Sequence, residues 1–564
     1  MNWTSPILAR LNRLLPFLGW GRPSRQQLRA DAIAGITVGL VLIPQALAYA
    51  QLAGMPPVTG LYAALLPGIV GALFGSSSLL AVGPVALTSL LTFAALQPLA
   101  EAGSAQWVAM AVWLAIYSGL MQLAMGAFRM GVIANLVSNP VVQGFINAAA
   151  IIIIVSQLPA LLGFGAGDGG WIARLEHQWQ SNTPALLATA GFGLGTMVFL
   201  ELFKRLSPRL PAVMIACLIG IAVSLLAGFD ALGGAVIGYI GGGLPDLSLP
   251  FTLTMDQHLA LLVPAAIIAL ISFTEAMSSC RTMSRMTGEP WDRNQELIGQ
   301  GLAKMVSGLS GAFPVSGSFS RTALNAYSGA RTAWSTIAAS LVVMVALFGF
   351  TGMLYHLPTA VLAAIIIVPV LRLIDIRSLL RLCRDNPKDG AVALVTLVVT
   401  LATVPNLYWG ILAGLGASLL AFLHHHAAPR IIELGVHDTG SFRDRRLYRL
   451  PPIAEGVLGV RMDASLTYLT APMLERYIRK RVGADPDLRQ VLISASSLNQ
   501  IDATGLDTLR DIWSMLESRG IQLCLSGPKL PVREALARSG LEQLIGPDNI
   551  FATDARAIEV LTRG

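Results

Sequence analysis

GSSSLLAVGPVALTSLLTFAAL, residues Gly75–Leu96, and GAFPVSGSFSRTALNAYSG, residues Gly311–Gly329, decide the fold of this chain. Each opens on a loose run of Gly, Pro and Ser, broken at Gly83-Pro84 in the first and around Pro314 to Gly317 in the second. Past each break the segment has room for a short helix only. A helix of about 10 residues reaches about 15 Å, half of a hydrocarbon core about 30 Å thick. Interrupted segments in matching halves of a chain point to the binding site of a membrane transporter. The other reading is two ordinary spans with loop-like ends. The second stretch also carries a cation, Arg321, just inside its helix start.

The rest of the chain fits a membrane protein. Of 564 residues, 54% are hydrophobic and 13% charged, about half the charged share of a soluble domain. Residues 1–30 hold Arg10, Arg13, Arg22, Arg25 and Arg29 and no acid. They read as a cytoplasmic segment with an amphipathic helix near 5–20, without a signal-peptide cleavage site. Cys217, Cys280, Cys383 and Cys524 have no metal or disulfide spacing, so no metal or other cofactor is expected. His424, His425 and His426 read as an interfacial cap or a metal-binding run.

Fourteen apolar stretches, give or take two, run from 31–53 to 406–424, with the broken segments third and tenth. Alternate connections hold the cations: Arg129; Lys204, Arg205 and Arg209; Arg281, Arg285 and Arg293; Arg331; and Arg372, Arg377, Arg381, Arg384 and Lys388. The opposite connections hold Arg174 beside Glu101, Glu176, Asp230, Asp246 and Asp256. This asymmetry places both termini in the cytoplasm of an inner or plasma membrane. Seven plus seven segments invert the second half, so the broken segments enter from opposite sides with helix starts facing near the midplane. Pro84 suits a first helical position, and Ser316 or Ser318 can cap the other helix. Free amides and macrodipoles at such starts form an anion site, to which Arg321 adds a fixed charge.

IPQALAYA at 43–50, PPVTGLY at 56–62, VGPVA at 82–86 and SGSFSRTALN at 316–325 together resemble the SulP (sulfate permease) family of anion transporters. SFTEAMSSCRT at 272–282 and ELIGQGLAKMVSG at 296–308 look like its plant proton–sulfate symporter branch. The resemblance runs from about residue 28 to the C-terminus. It implies an all-α polytopic domain of about 14 segments in a seven-plus-seven inverted repeat, with core and gate subdomains. Substrate would lie between the third and tenth segments. By the same resemblance Gln45 and Tyr49, Val85 and Ala86, and Ser318, Phe319, Ser320 and Arg321 line the anion site, and Glu275 matches a proton-coupling acid. Ser78 departs from the Lys or Arg common after GSS in the family.

Each charged or polar candidate has a plainer reading. Glu275 sits deep in an apolar run, where a carboxylate is costly and a functional role is the default, but it could pair with Arg281 or Arg285. Arg321 could snorkel to the interface. Gln45, after Pro44, faces either a cavity or packing, and Tyr49 shares its helix face. Glu296 and Lys304 read as end-of-helix anchors.

The composition changes near residue 445. Residues 1–30 form the N-terminal segment, 31–426 the transport domain, 427–452 a linker and 453–564 a small cytoplasmic α/β domain. VLGVRMD, QVLISAS and IQLCLSG read as strands, and TGLDTLRDIWSMLES and VREALARSGL as helices. LISASSLNQIDATGLDTL resembles the core of a STAS domain, in which Thr504 matches a phosphorylated position and otherwise reads as a helix-cap Thr.

These readings converge on a secondary active transporter, not an enzyme, of an inorganic anion. Sulfate leads, coupled to a proton, in a homodimer embedded in the lipid bilayer, with no nucleic-acid partner. Na+-coupled bicarbonate or dicarboxylate transport, an uncoupled exchanger or channel, and a STAS-led receptor stay open.

Overall fold

The computed structural model describes residues 15–132, 137–163, 184–206 and 211–563. The amphipathic helix expected near 5–20 falls largely outside them, as do Arg10, Arg13, Arg174, Glu176 and Arg209. The chain divides into two units, Met1–Ser418 and Leu419–Gly564.

The first unit is helical. Its early helices are α1 (Arg25–Leu52), α2 (Pro57–Phe74), α3 (Ala86–Leu96), α4 (Ala105–Ala127), α5 (Asn139–Leu162), α6 (Pro184–Leu206) and α7 (Ala212–Ala227). The series continues with α8 (Met255–Thr287), α9 (Arg293–Leu309), α10 (Phe319–Tyr327), α11 (Trp334–Gly349), α12 (Thr359–Leu371), α13 (Ile376–Asp385), α14 (Pro387–Ala402) and α15 (Tyr408–Ala427). Their starts are written in the sequence. Ser24 and Thr254 close capping boxes with Gln27 and Gln257 at α1 and α8, and Asp292 accepts from two amides at α9. Fourteen of these helices match the expected segments. The additional one, α13, is a short helix with Arg377, Arg381 and Arg384 among exposed Ile376 and Leu380, too polar to be a span.

Two groups of helices form within this unit. In one, α4 lies along α9, α11 along α1 and α2, and α8 along α4. In the other, α5 packs on α12 and α14, and α6 on α12 and α7. These are the expected core and gate. The core helices approach closely where glycines face each other. A Cβ on Gly119 would sit 2.7 Å from the Gly301 carbonyl oxygen, and one on Gly301 would meet the Gly119 oxygen at the same distance. Only glycine permits that crossing.

The second unit holds a six-stranded sheet of β3 (Ile431–His437), β4 (Ser441–Asp444), β5 (Val457–Met462), β6 (Gln490–Ser494), β7 (Gln522–Ser526) and β8 (Ile550–Phe551), in the order β4-β3-β5-β6-β7-β8. The four strands β5 to β8 are parallel, and β3 is antiparallel to both its neighbours. Alternation sorts the side chains. Val491, Ile493, Leu523 and Leu525 join a core under the helices Ala471–Ala484 and Ala503–Glu517, whereas Leu492 and Cys524 join a second core with Phe551 and Leu561. Burial on both faces explains the unbroken apolar runs. Burial also pushes the Cys524 thiol up to about 11. The expected linker 427–452 is corrected, since it supplies β3 and β4. Its Glu433 is buried against Arg445, Arg446 and Arg481.

Candidate functional site

Between α2 and α3 the chain runs extended as β1 (Val82–Gly83), and before α10 as β2 (Ser316–Gly317). The two pair antiparallel, Val82 with Gly317 and Gly83 with Ser316. Antiparallel strands feeding two helices send those helices away in opposite directions from a shared start. The Ser318 amide donates to the Ala81 oxygen at 2.9 Å, and the Ala81 amide to Thr322 Oγ1 at 3.0 Å, which extends the junction. At 11 and 9 residues, α3 and α10 are about 16 and 13 Å long, each a half-span. The facing of the two broken segments is therefore present in the fold.

At this junction the first amides of each helix have no partner inside the helix. Val85 is the cap residue of α3 and is buried, Ala86 is its first helical residue, and Pro84 lies before the cap. The expectation of Pro84 at the first helical position is thus displaced by two residues. Its carbonyl instead accepts from Arg321 Nη1 at 2.8 Å. Ser318 caps α10 by accepting from the Arg321 amide, while Ser316 donates to the Ser272 carbonyl at 3.0 Å. Phe319 and Ser320 are exposed beside it, with the Ser320 hydroxyl 3.4 Å from that of Ser318.

Arg321 is 1% exposed, which removes the snorkelling alternative. Its Nε and Nη2 are buried without a hydrogen-bond partner, and Gln45 Oε1 and Glu275 Oε2 share that condition. Unpaired buried polar atoms are costly. Gly83 keeps the space open, for a Cβ there would lie 3.3 Å from Arg321 Nη2. Tyr49 and Glu275 both act on Arg321 as charges or dipoles. The alternative partners of Glu275, Arg281 and Arg285, are exposed, and none of the ion pairs among the described residues joins them to it. Tyr49 and Glu275 thus lie near Arg321, and Ser318 caps the helix that carries it, while Gln45 is buried on α1.

Lys304 is not an end-of-helix anchor, whereas Glu296 stands on the first turn of α9. Lys304 is fully buried, donating from Nζ to Gln122 Oε1 at 2.8 Å and to Ser272 Oγ at 2.7 Å. Glu296 is buried where it accepts from the Ser76 and Ser77 amides at 2.9 and 3.1 Å. The signal lay in the spacing, because Glu296, Gln300 and Lys304 recur every four residues and so form one stripe on α9. All three are buried. Ser78, the departure from the resembled pattern, bonds Glu289 at 2.5 Å. His424, His425 and His426 are exposed in the last turn of α15, and no cluster of metal ligands occurs among the described residues. In the second unit Thr504 is exposed on the first turn of its helix. Asp502 is the cap, accepting from the Gly505 amide at 2.8 Å, so Thr504 is not the capping residue.

A sulfate permease family model matches residues 28–396, and a STAS domain model matches residues 448–557. The chain belongs to the sulfate permease family. It is 34% identical to a probable sulfate transporter of Mycobacterium tuberculosis, over 96% of each chain. It is 30% identical to the chloroplastic sulfate transporter 4.1 of Arabidopsis thaliana, over 99% of this chain and 85% of that one. Its fold matches that of the murine SLC26A9 anion transporter in the inward-facing state with a TM-score of 0.89 at 22% identity, covering 100% of this chain and 97% of that one. The transmembrane domain of the cyanobacterial bicarbonate transporter BicA matches 71% of this chain and 99% of its own, with a TM-score of 0.59 and 26% identity. As a sulfate permease family member the chain is a multi-pass membrane anion transporter and not an enzyme.

Proposed function

We propose that this protein carries sulfate across the plasma or inner membrane together with a proton, the anion being held at the facing starts of α3 and α10. The observation that carries this reading is the buried, half-satisfied guanidinium of Arg321 at the junction of two half-span helices. In this reading the amides of Val85 and Ala86, the hydroxyls of Ser318 and Ser320, Gln45 and Tyr49 supply further donors to the anion. Fixed donors and dipoles replace the hydration shell of an anion at mid-bilayer without a rearrangement.

Glu275 supplies the coupling. Ionised, it neutralises part of the Arg321 charge, so a sulfate arriving beside it meets a repulsive carboxylate. Protonated, it leaves the guanidinium free for the anion. Proton and sulfate therefore favour each other's binding, and linkage makes the effect reciprocal. Movement of the core helices relative to the gate carries both to the other side.

Radiolabelled sulfate uptake into proteoliposomes tests this directly. An inwardly directed proton gradient should drive accumulation above the equilibrium level. Uptake that only follows the sulfate gradient, or that follows a Na+ gradient instead, overturns the coupling. Bicarbonate and a dicarboxylate in the same competition panel separate the readings that share this fold.

A further inference from the structure

Lys304 stands outside the anion site, yet it is a fully buried basic side chain in the C-terminal half of α9. Its surroundings offer Nζ acceptors only. The Ser272 hydroxyl donates to the Ile268 carbonyl at 2.5 Å, and Gln122 Nε2 donates to the Ala269 carbonyl at 2.6 Å. Carbonyls cannot donate, so these directions are fixed, and Ser272 Oγ and Gln122 Oε1 are left to accept from Lys304. The network reaches the anion site in one step. The Ser272 carbonyl accepts from Ser316, which pairs with Gly83 in the ribbon below Arg321. Glu275 lies three residues after Ser272, on the same face of α8.

Among the described residues the charged groups packed about this point are few. Glu275 on α8 acts on Lys304, and Arg321 on α10 acts on Glu275 together with Tyr49 on α1. Gln122 on α4 is neutral, α3 carries no ionisable side chain, and β2 contributes Ser316. Among the described residues of this unit the acids Glu296 and Asp31 are buried, but each is satisfied at a helix end. Glu296 is eight residues and about 12 Å along α9, bonded to amides, and Asp31 accepts from Arg331 and Thr332. Around this point the described residues thus place two basic side chains, Lys304 and Arg321, and one acid, Glu275.

From this, and resting on the proposed anion site, we infer that Lys304 is a specificity-determining residue for anion valence. With Glu275 protonated and Lys304 carrying its proton, Lys304 and Arg321 together balance a divalent anion. With Glu275 ionised, the same pair balances a monovalent anion. Burying net charge in the bilayer is expensive, so the balanced combinations are the ones that cross. A divalent anion crosses with one proton, taken up on Glu275 from the side of entry and released with the anion on the other. A monovalent anion crosses with none. Lys304 touches no substrate and works through Glu275 and the ribbon, as a positioning charge.

Removing the charge shifts the balance by one. In Lys304→Gln, which keeps a side chain able to hydrogen-bond in the network, sulfate affinity should fall at least tenfold while chloride affinity stays within about threefold. Chloride uptake, independent of a proton gradient in the natural protein, should become driven by one. Equal losses for both anions, or chloride uptake that stays indifferent to the gradient, would overturn the inference and leave Lys304 with a packing role. A measurement on the unaltered protein needs no variant. Proton flux counted per anion in proteoliposomes should be one for sulfate and zero for chloride, and a proton carried with chloride contradicts the scheme. Arg321→Ala separates this inference from the reading beneath it. If that variant still binds sulfate, the site itself is misplaced. If it does not, and the two anions respond alike to Lys304→Gln, only the role of Lys304 fails.

Discussion

Arg321 makes one hydrogen bond from its guanidinium, to Pro84, although the group carries five donors. A hydrogen bond to a charged group contributes about 1.5–3 kcal/mol, and each 1.4 kcal/mol is about tenfold in affinity. Arg321→Ala should therefore lower sulfate affinity about 10- to 100-fold in a direct binding assay, with the protein still monodisperse in detergent. Unchanged affinity would remove Arg321 from the site. Glu275→Gln should abolish the rise of net uptake as external pH falls while leaving sulfate exchange intact. An unaltered pH profile of uptake rules the residue out as the coupling acid. These two residues were legible because a charge inside an apolar run has few structural explanations. Lys304 was not, because Glu296, Gln300 and Ser307 around it make α9 read as a polar helix end. Gln122 and Ser272 are uncharged, and nothing in an isolated sequence pairs them with a lysine more than thirty residues away.

At the scale of elements, the half-span helices were visible from their Gly/Pro/Ser starts and short apolar runs. The ribbon that joins them was not. It pairs residues more than two hundred positions apart over only two residues per strand, too short for any periodicity. The loop leading into it is held from another helix, since Glu296 takes the amides of Ser76 and Ser77 as α3's approach leaves α2. Glu296→Ala would strand these amides in a buried setting at about 1–3 kcal/mol for each lost partner. Its melting temperature in detergent should drop, and bound sulfate should recover less of it than in the natural protein. A variant as stable as the natural protein would show that the loop is held by something else.

For the whole molecule, the sequence located the change of character near residue 445 but set the second unit's start too late. IIELGVH comes directly after the last membrane helix, and its apolar residues read as the tail of that segment. In the structure Ile432 and Leu434 enter the second core of the sheet and Glu433 meets three arginines. A fragment covering 428–564 should fold on its own, whereas one covering 453–564, lacking β3 and β4, should unfold at lower denaturant. Cys524 reports on this. Buried, with its thiol held at about 11, it should resist alkylation at pH 8 in the longer fragment and react readily in the shorter one. Equal protection in both would show that β3 and β4 are dispensable. In the membrane unit everything turns on where the anion sits. A structure determined with selenate, located by its selenium anomalous signal, addresses that point most directly. The ion should lie between the first turns of α3 and α10, within hydrogen-bonding distance of the Arg321 guanidinium. Selenate bound elsewhere in that unit, with Arg321 still turned only to Pro84, would contradict the proposed site.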